Sequence, residues 1–412
     1  MKTERSNPDS TVGRRATSTH VYALDGVRGL AVLGVMASHL FPGTYMAGGL
    51  FVRVVGRTFE FGARGVDLFF VLSGFLITGI LYDSLDDGGF FRKFYARRCL
   101  RIFPLYYGVL LVLFVLTPLL GIEWHRMQWS LIFYLQNTSI VTPIWDFWMP
   151  HGLNLGHFWS LAVEEQFYLI WPLAVFFIRD RKKLLIACAA LSLGALLLRF
   201  YFAFHDTPYQ FINCGTWFRA DSLLAGAALA LLIRGSMREA MSRYGHVVFW
   251  GAAFVLGLLN ILGIFIERQA RWTSDFDASY LAMQYTVMAL GCAGLIAWCL
   301  RTSSVASSIF ENRLLRWFGR YSYGLYVLHL VAFGFLLHTF RGWLEHFTSD
   351  KLAIVVISGL LVFAVSVVAA YASYHLYEKP LLRLKRFVEY DRPETIPVIP
   401  EQENGQLAGG SV

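Results

Sequence analysis

Long apolar runs recur along the chain, separated by short polar stretches in which Lys and Arg collect. A helix needs about 20 apolar residues to cross a bilayer core. That length criterion predicts about ten spans, over 24–42, 65–82, 102–120, 157–178, 184–204, 216–233, 247–266, 279–300, 321–341 and 352–377. The expected fold class is an all-α, polytopic membrane bundle. Its transmembrane domain should occupy residues 21–388, between tails at 1–20 and 389–412. Both tails are expected to be disordered, because they are polar and have few aromatics to bury. No internal repeat occurs at a fixed period, and no matching pair of Gly/Pro-broken spans appears in two halves, which weakens a transporter reading.

Composition sharpens this picture. Of 412 residues 56% are hydrophobic and only 16% charged, whereas soluble domains carry roughly a quarter charged residues. An ordinary soluble enzyme is excluded, and the main solvent should be lipid. The net charge of +8 could suggest nucleic acid, but the positive charges lie between apolar runs, where they act as topology signals. With strict alternation of the spans, about 25 of the Lys and Arg residues fall on one side together with both tails. Both termini are therefore expected in the cytoplasm. The first 20 residues lack the apolar stretch of a secretory leader, so the first span should be retained. Five scattered cysteines form no Cys-x-x-Cys, which indicates neither a disulfide scaffold nor a zinc knuckle; they should be reduced or face lipid.

Ionisable residues inside a membrane are costly and mark candidate sites. Arg28 and His39 are eleven residues apart, three helical turns, so they share a face about 16 Å apart along the axis. This would place the guanidinium near the cytoplasmic end and the imidazole near mid-membrane. Asp25, three residues before Arg28, could hold it in an i,i+3 pair. The bland alternatives are a snorkelling Arg28 and a satisfied core histidine. In the second span Asp67 could be an outer cap or a cavity wall, while Ser73, Gly74, Thr78 and Gly79 are small enough to admit a neighbouring helix. Arg98 and Arg101 could grip a phosphate from one face, although positive-inside anchoring also explains such a cluster. Ser160, Glu164 and Tyr168 follow at intervals of four, and the adjacent Glu164 and Glu165 cannot both face lipid. Arg219 and Asp221 form another charge pair, and His329 stands alone on the ninth span. No Walker loop, Gly-x-Ser-x-Gly elbow or His-Glu-x-x-His is present.

Taken in order, these blocks resemble the acyltransferase-3 family of polytopic, acyl-CoA-dependent O-acyltransferases. The blocks are Arg28 to His39, Ser73-Gly74-Phe75-Leu76, Arg98 to Arg101, Trp159-Ser160-Leu161 to Tyr168, Tyr321-Ser322-Tyr323 to His329, and Glu378-Lys379-Pro380. Leu328 departs from the Trp that often precedes the ninth-helix His in that family, and the chain resembles the type without an appended SGNH domain. The resemblance implies a bacterial inner-membrane enzyme that moves an acyl group, acetyl above all, from acyl-CoA on the cytoplasmic side to a hydroxyl of an envelope or exported glycan, a lipid-linked sugar or a macrolide. Acyl-CoA would be a co-substrate, with no permanently bound cofactor and no metal. The expected partners are membrane lipid, the donor and the acceptor, with no nucleic acid. Arg28, Arg98 and Arg101 would bind the CoA phosphates. His39 would act as base or acyl carrier, with Glu164 or Glu165 orienting it and Tyr168 or Ser73 among the candidate oxyanion donors. Asp67, Ser73, Arg219, Asp221 and His329 are candidates for holding the substrate. The competing reading is a proton-coupled transporter with Arg28, His39 and the Glu pair as its relay.

Overall fold

A computed structural model of the chain describes residues 17–18, 20–41, 49–124, 126–138, 152–205, 207–268, 274–391 and 396–397. Its long helices are α1 (Tyr22–Leu40), α2 (Leu50–Phe61), α3 (Gly65–Asp83), α4 (Phe90–Val115), α5 (Trp159–Ile178), α6 (Arg181–Ala203), α7 (Thr216–Leu232), α8 (Arg238–Arg268), α9 (Ser274–Cys299), α10 (Arg313–Glu345) and α11 (Lys351–Ser373). Every predicted span coincides with one of them. Eight segments among the described residues are long and apolar enough to cross a membrane, so the chain is an all-α, multi-pass membrane protein. The shortest of the predicted ten, α7, has 17 residues and carries Arg219 and Asp221. It tolerates them because α3, α6 and α9 pack around it and both charges are buried in protein, away from lipid.

Two elements differ from expectation. The third span was expected from residue 102, but α4 starts at Phe90 and takes the whole basic cluster into the helix. Phe90 and Phe94 are buried along its inner face, which draws this polar turn onto the bundle. The amphipathic α2 was not predicted, since twelve residues with two arginines are too few and too polar to read as a span.

The packing of α1, α3, α7 and α10 sets the frame for everything else. α1 lies against α10, and α3 lies against α7. Close approach depends on glycine. A methyl group at Gly74 would lie 1.8 Å from the Leu223 carbonyl oxygen, and one at Gly226 1.9 Å from that of Val71, so the α3 and α7 backbones touch. The small-residue reading of Ser73-Gly74 is thereby met at Gly74.

Most of both tails lies outside the described residues. Among their described residues, Thr17–Ser18 and Ile396–Pro397 pair antiparallel over two residues, and Asp391 is anchored to the 87–93 region. All five cysteines are free, but Cys188, Cys214, Cys292 and Cys299 are buried in the protein instead of facing lipid. These small side chains fill interhelical gaps, as a small hydrophobe does.

Candidate active site

Residues of α1, α3, α4, α5 and α10 line a cavity of about 500 Å³, within the size range of small-molecule sites. Of the residues singled out from sequence, Arg28, Ser73, Arg98, Arg101, Glu164, Glu165 and Tyr168 all line it. Sequence periodicity explains this convergence. The four-residue rhythm of Ser160, Glu164 and Tyr168 puts one stripe of α5 on the cavity, and the three-residue step from Arg98 to Arg101 does the same for α4.

The cavity is polar at two places with different chemistry. Arg28 donates to Asp25 at 3.2 Å, as the i,i+3 spacing predicted. Arg98 and Arg101 form no ion pair with a described carboxylate. Instead they lie beside aromatic rings, Arg98 at 5.5 Å from the Tyr168 centroid and Arg101 at 5.9 Å from that of Tyr323. A guanidinium held against a ring keeps its N–H fork available for an anion. The other group is Ser73, Glu164, Glu165 and Tyr168. Ser73 Oγ and Tyr168 OH share a hydrogen bond of 2.5 Å, and Glu165 Oε1 is a buried acceptor with no described partner. Among the described residues no cluster of three His, Cys, Asp or Glu is placed to hold a metal ion.

Sequence reasoning did not single out Arg97, Arg234, Lys385 and Tyr390, which also line the cavity. The last two come from the segment after α11, and nothing in their local pattern reports that the chain folds back here. Arg97 stacks on the Tyr390 ring at 5.0 Å, and Arg234 makes a two-point ion pair with Asp83 at 2.6 and 2.8 Å.

His39 does not line this cavity. It sits in the last turn of α1. Its Nδ1 is 2.9 Å from Nε2 of His329, with the two rings nearly parallel at 5.2 Å. His157, at the entry to α5, closes edge-on to His329 at 5.0 Å. No described hydrogen bond or ion pair joins His39 to Glu164, Glu165 or Arg28, so the orienting carboxylate and the continuous relay expected from sequence are not in contact with it. The link between cavity and histidines is Tyr326. Its ring lines the cavity and lies 5.9 Å from that of His329, and its hydroxyl bonds both Ser160 Oγ and the His157 carbonyl.

The remaining substrate candidates fall elsewhere. Asp67 accepts from Arg219 at 2.5 Å and from Ser222 at 3.3 Å. Asp221 accepts from Arg199 at 2.6 and 3.1 Å and from Thr286 at 2.7 Å. All four charged residues are buried, none lines the cavity, and Arg219 also lies over the Tyr285 ring at 4.0 Å. These are interhelical pairs joining α7 to α3 and α6. The partner of Asp221 was not foreseen, because Arg199 is on a different span and pairing across helices leaves no local signal.

Comparison with known proteins fits these landmarks. The family described as "Acyltransferase domain" matches residues 21–372. YrhL of Bacillus subtilis, provisionally named a peptidoglycan O-acetyltransferase, is 29% identical over 91% of this chain and 57% of its own length. The peptidoglycan O-acetyltransferase OatA of Listeria monocytogenes is 31% identical over 76% of this chain and 50% of its own length. A Staphylococcus aureus protein provisionally named an O-acetyltransferase is 28% identical over 77% and 51%. The chain thus spans about half the length of these curated relatives. No solved structure matches it significantly.

Proposed function

The chain belongs to the acyltransferase-domain family, and from that premise we propose that it is a membrane O-acyltransferase that takes an acyl group, acetyl above all, from acyl-CoA at the cytoplasmic face of a bacterial inner membrane and transfers it to a hydroxyl of an envelope or exported glycan or glycosylated lipid. The observation that carries this reading is the cavity. Its rim is built from His20, Asp83, Arg97, Arg234, Lys385 and Tyr390, all from the stretches that the distribution of Lys and Arg assigns to the cytoplasm. A donor from the cytosol would meet Arg28, Arg98 and Arg101 there, and a guanidinium fork matches phosphate oxygens in geometry and charge.

The chemistry follows from the reaction class. The acceptor oxygen attacks the thioester carbonyl carbon while its proton passes to an imidazole, for which His39 is the candidate. Negative charge develops on the carbonyl oxygen, where hydroxyl donors such as the Ser73–Tyr168 pair would stabilise it if the thioester rests at that level of the cavity. Collapse expels the CoA thiolate, which takes the proton back from the imidazolium. Tyr326, which lines the cavity and lies 5.9 Å from His329, is the side chain nearest the histidine pair that a bound thioester would meet.

The test is acceptor-dependent release of free thiol from acetyl-CoA by protein purified in detergent, across a panel of glycan and lipid-linked acceptors. Release that disappears in a folded His39→Ala variant is the expected result. Neither release nor CoA binding in the wild type would overturn the reading and leave a transporter as the alternative.

A further inference from the structure

We propose that His329 is a positioning residue that fixes the tautomer of His39, so that the Nε2 atom of His39 carries the lone pair that receives the acceptor's proton. This rests on the acyl-transfer reading and gives His39 an orienting partner that is neither Glu164 nor Glu165.

The argument starts from two backbone carbonyls. Nδ1 of His329 lies 2.7 Å from the Tyr326 carbonyl oxygen and 3.1 Å from that of Leu325, in the preceding turn of α10. A carbonyl oxygen only accepts, so the proton of His329 must sit on Nδ1. His329 is wholly buried and has no described carboxylate beside it, so a second proton would leave an unpaired charge inside the protein. Its Nε2 is then an acceptor. The atom facing it, at 2.9 Å, is Nδ1 of His39, which must therefore donate. A neutral imidazole has one N–H, so the lone pair of His39 lies on Nε2, the nitrogen turned away from His329.

The surroundings hold this arrangement. The two rings are 17° from parallel, and His157 meets His329 edge-on at 69°. Tyr326 supplies both the carbonyl that holds His329 and the ring that lines the cavity, so one turn of α10 joins the histidine pair to the donor site. His157 was passed over from sequence, and here it serves as a wall. When His39 takes a proton at Nε2, its Nδ1–H points at an acceptor already in place, which stabilises the imidazolium without rearrangement.

The experiment compares folded His329→Leu and His329→Gln variants. Leu removes the acceptor, whereas the Gln side-chain carbonyl can take the bond from His39 Nδ1–H. The expected result is a fall in kcat of roughly 10²- to 10⁴-fold for the Leu variant, the contribution of a positioned general base whose lone pair is no longer held in place, with the donor KM within about threefold of wild type. The Gln variant should recover to within about tenfold of wild-type kcat. A folded Leu variant that keeps wild-type kcat, or a Gln variant as impaired as Leu, would overturn the proposal. Should the Leu variant not fold, the nitrogen-15 spectrum of labelled wild-type protein decides: the signals lost in His39→Asn should be a protonated Nδ1 and an unprotonated Nε2, and the reverse assignment would overturn it. This measurement needs no turnover. A wild type that releases no CoA would sink the acyl-transfer reading, while the tautomer of His39 would still be read.

Discussion

At the residue scale, the structure separates charges that wait for a ligand from charges that are already spent. Arg98 and Arg101 face the cavity beside aromatic rings and form no ion pair with a described carboxylate, so removing either should weaken donor binding more than turnover. A charge-assisted hydrogen bond contributes about 1.5–3 kcal/mol, which converts to roughly a 10- to 100-fold rise in the KM for acyl-CoA in Arg98→Ala or Arg101→Ala. Steady-state kinetics at saturating acceptor would show it, and an unchanged donor KM in both variants would remove these residues from the donor site. Asp67 and Arg219 behave differently, because each is buried against the other. Asp67→Ala leaves an unpaired guanidinium in the protein and should cost about 3–5 kcal/mol, read as a lower melting temperature in detergent. Replacing both partners with apolar residues, Asp67→Leu with Arg219→Met, should restore much of the loss. A stable Asp67→Ala protein with a raised acceptor KM would instead return the pair to substrate binding.

At the scale of elements, the bundle is held where backbones touch. Gly74 of α3 sits against Leu223 of α7, and a Cβ there would collide with a carbonyl that has no side chain to move aside. Gly74→Ala should therefore destabilise by about 1–3 kcal/mol through overpacking, whereas Gly194→Ala on α6, where a methyl meets nothing within 4 Å, should leave the melting temperature unchanged or raised. Equal melting temperatures would show that α3 and α7 can part at no cost. The cavity depends on the same contact, since Ser73 is the neighbour of Gly74 and is aimed inward by it. Legibility from sequence follows this division. Arg98, Arg101, Glu164 and Tyr168 were found because helical spacing puts them on defined faces, whereas spacing marked Ser73 as a packing residue and only the family resemblance made it a site candidate. Asp67, Arg219 and Asp221 were found as intramembrane charges but assigned to substrate, because spacing reports a face and not the helix that packs on it.

At the scale of the whole molecule, the chain beyond α11 returns to the cavity, which Lys385 and Tyr390 line. Asp391 bonds Lys93 and the Gly88 N–H, and its own N–H donates to Asp87 at 2.8 Å. The hydrogen bond from Lys93 holds the Asp391 carboxyl below the usual aspartate range. A depressed carboxylate contributes its anchoring fully above the ordinary value near 4 and loses it as pH falls through the lower, folded value. The C-terminal segment should thus stay docked at neutral pH and come free only in strong acid, while Asp391→Ala should free it at neutral pH. Limited proteolysis of the segment in the wild type and in the variant reads this directly, and equal cleavage rates would show that the anchor holds nothing.

The sequence by itself determined the solvent, the class of fold and part of the polar lining of the cavity. Apolar run length fixes what can cross a bilayer, the placement of Lys and Arg predicts sides, and the 3.6-residue period fixes which side chains share a face. These are local properties of one helix and one membrane. Only the tertiary structure decided which faces meet. It brought His39 to His329, 290 positions away, paired Arg199 with Asp221, and folded Lys385 and Tyr390 onto the rim. Each of those contacts joins residues from different helices, and their free energy belongs to a packing arrangement that no single stretch of sequence carries.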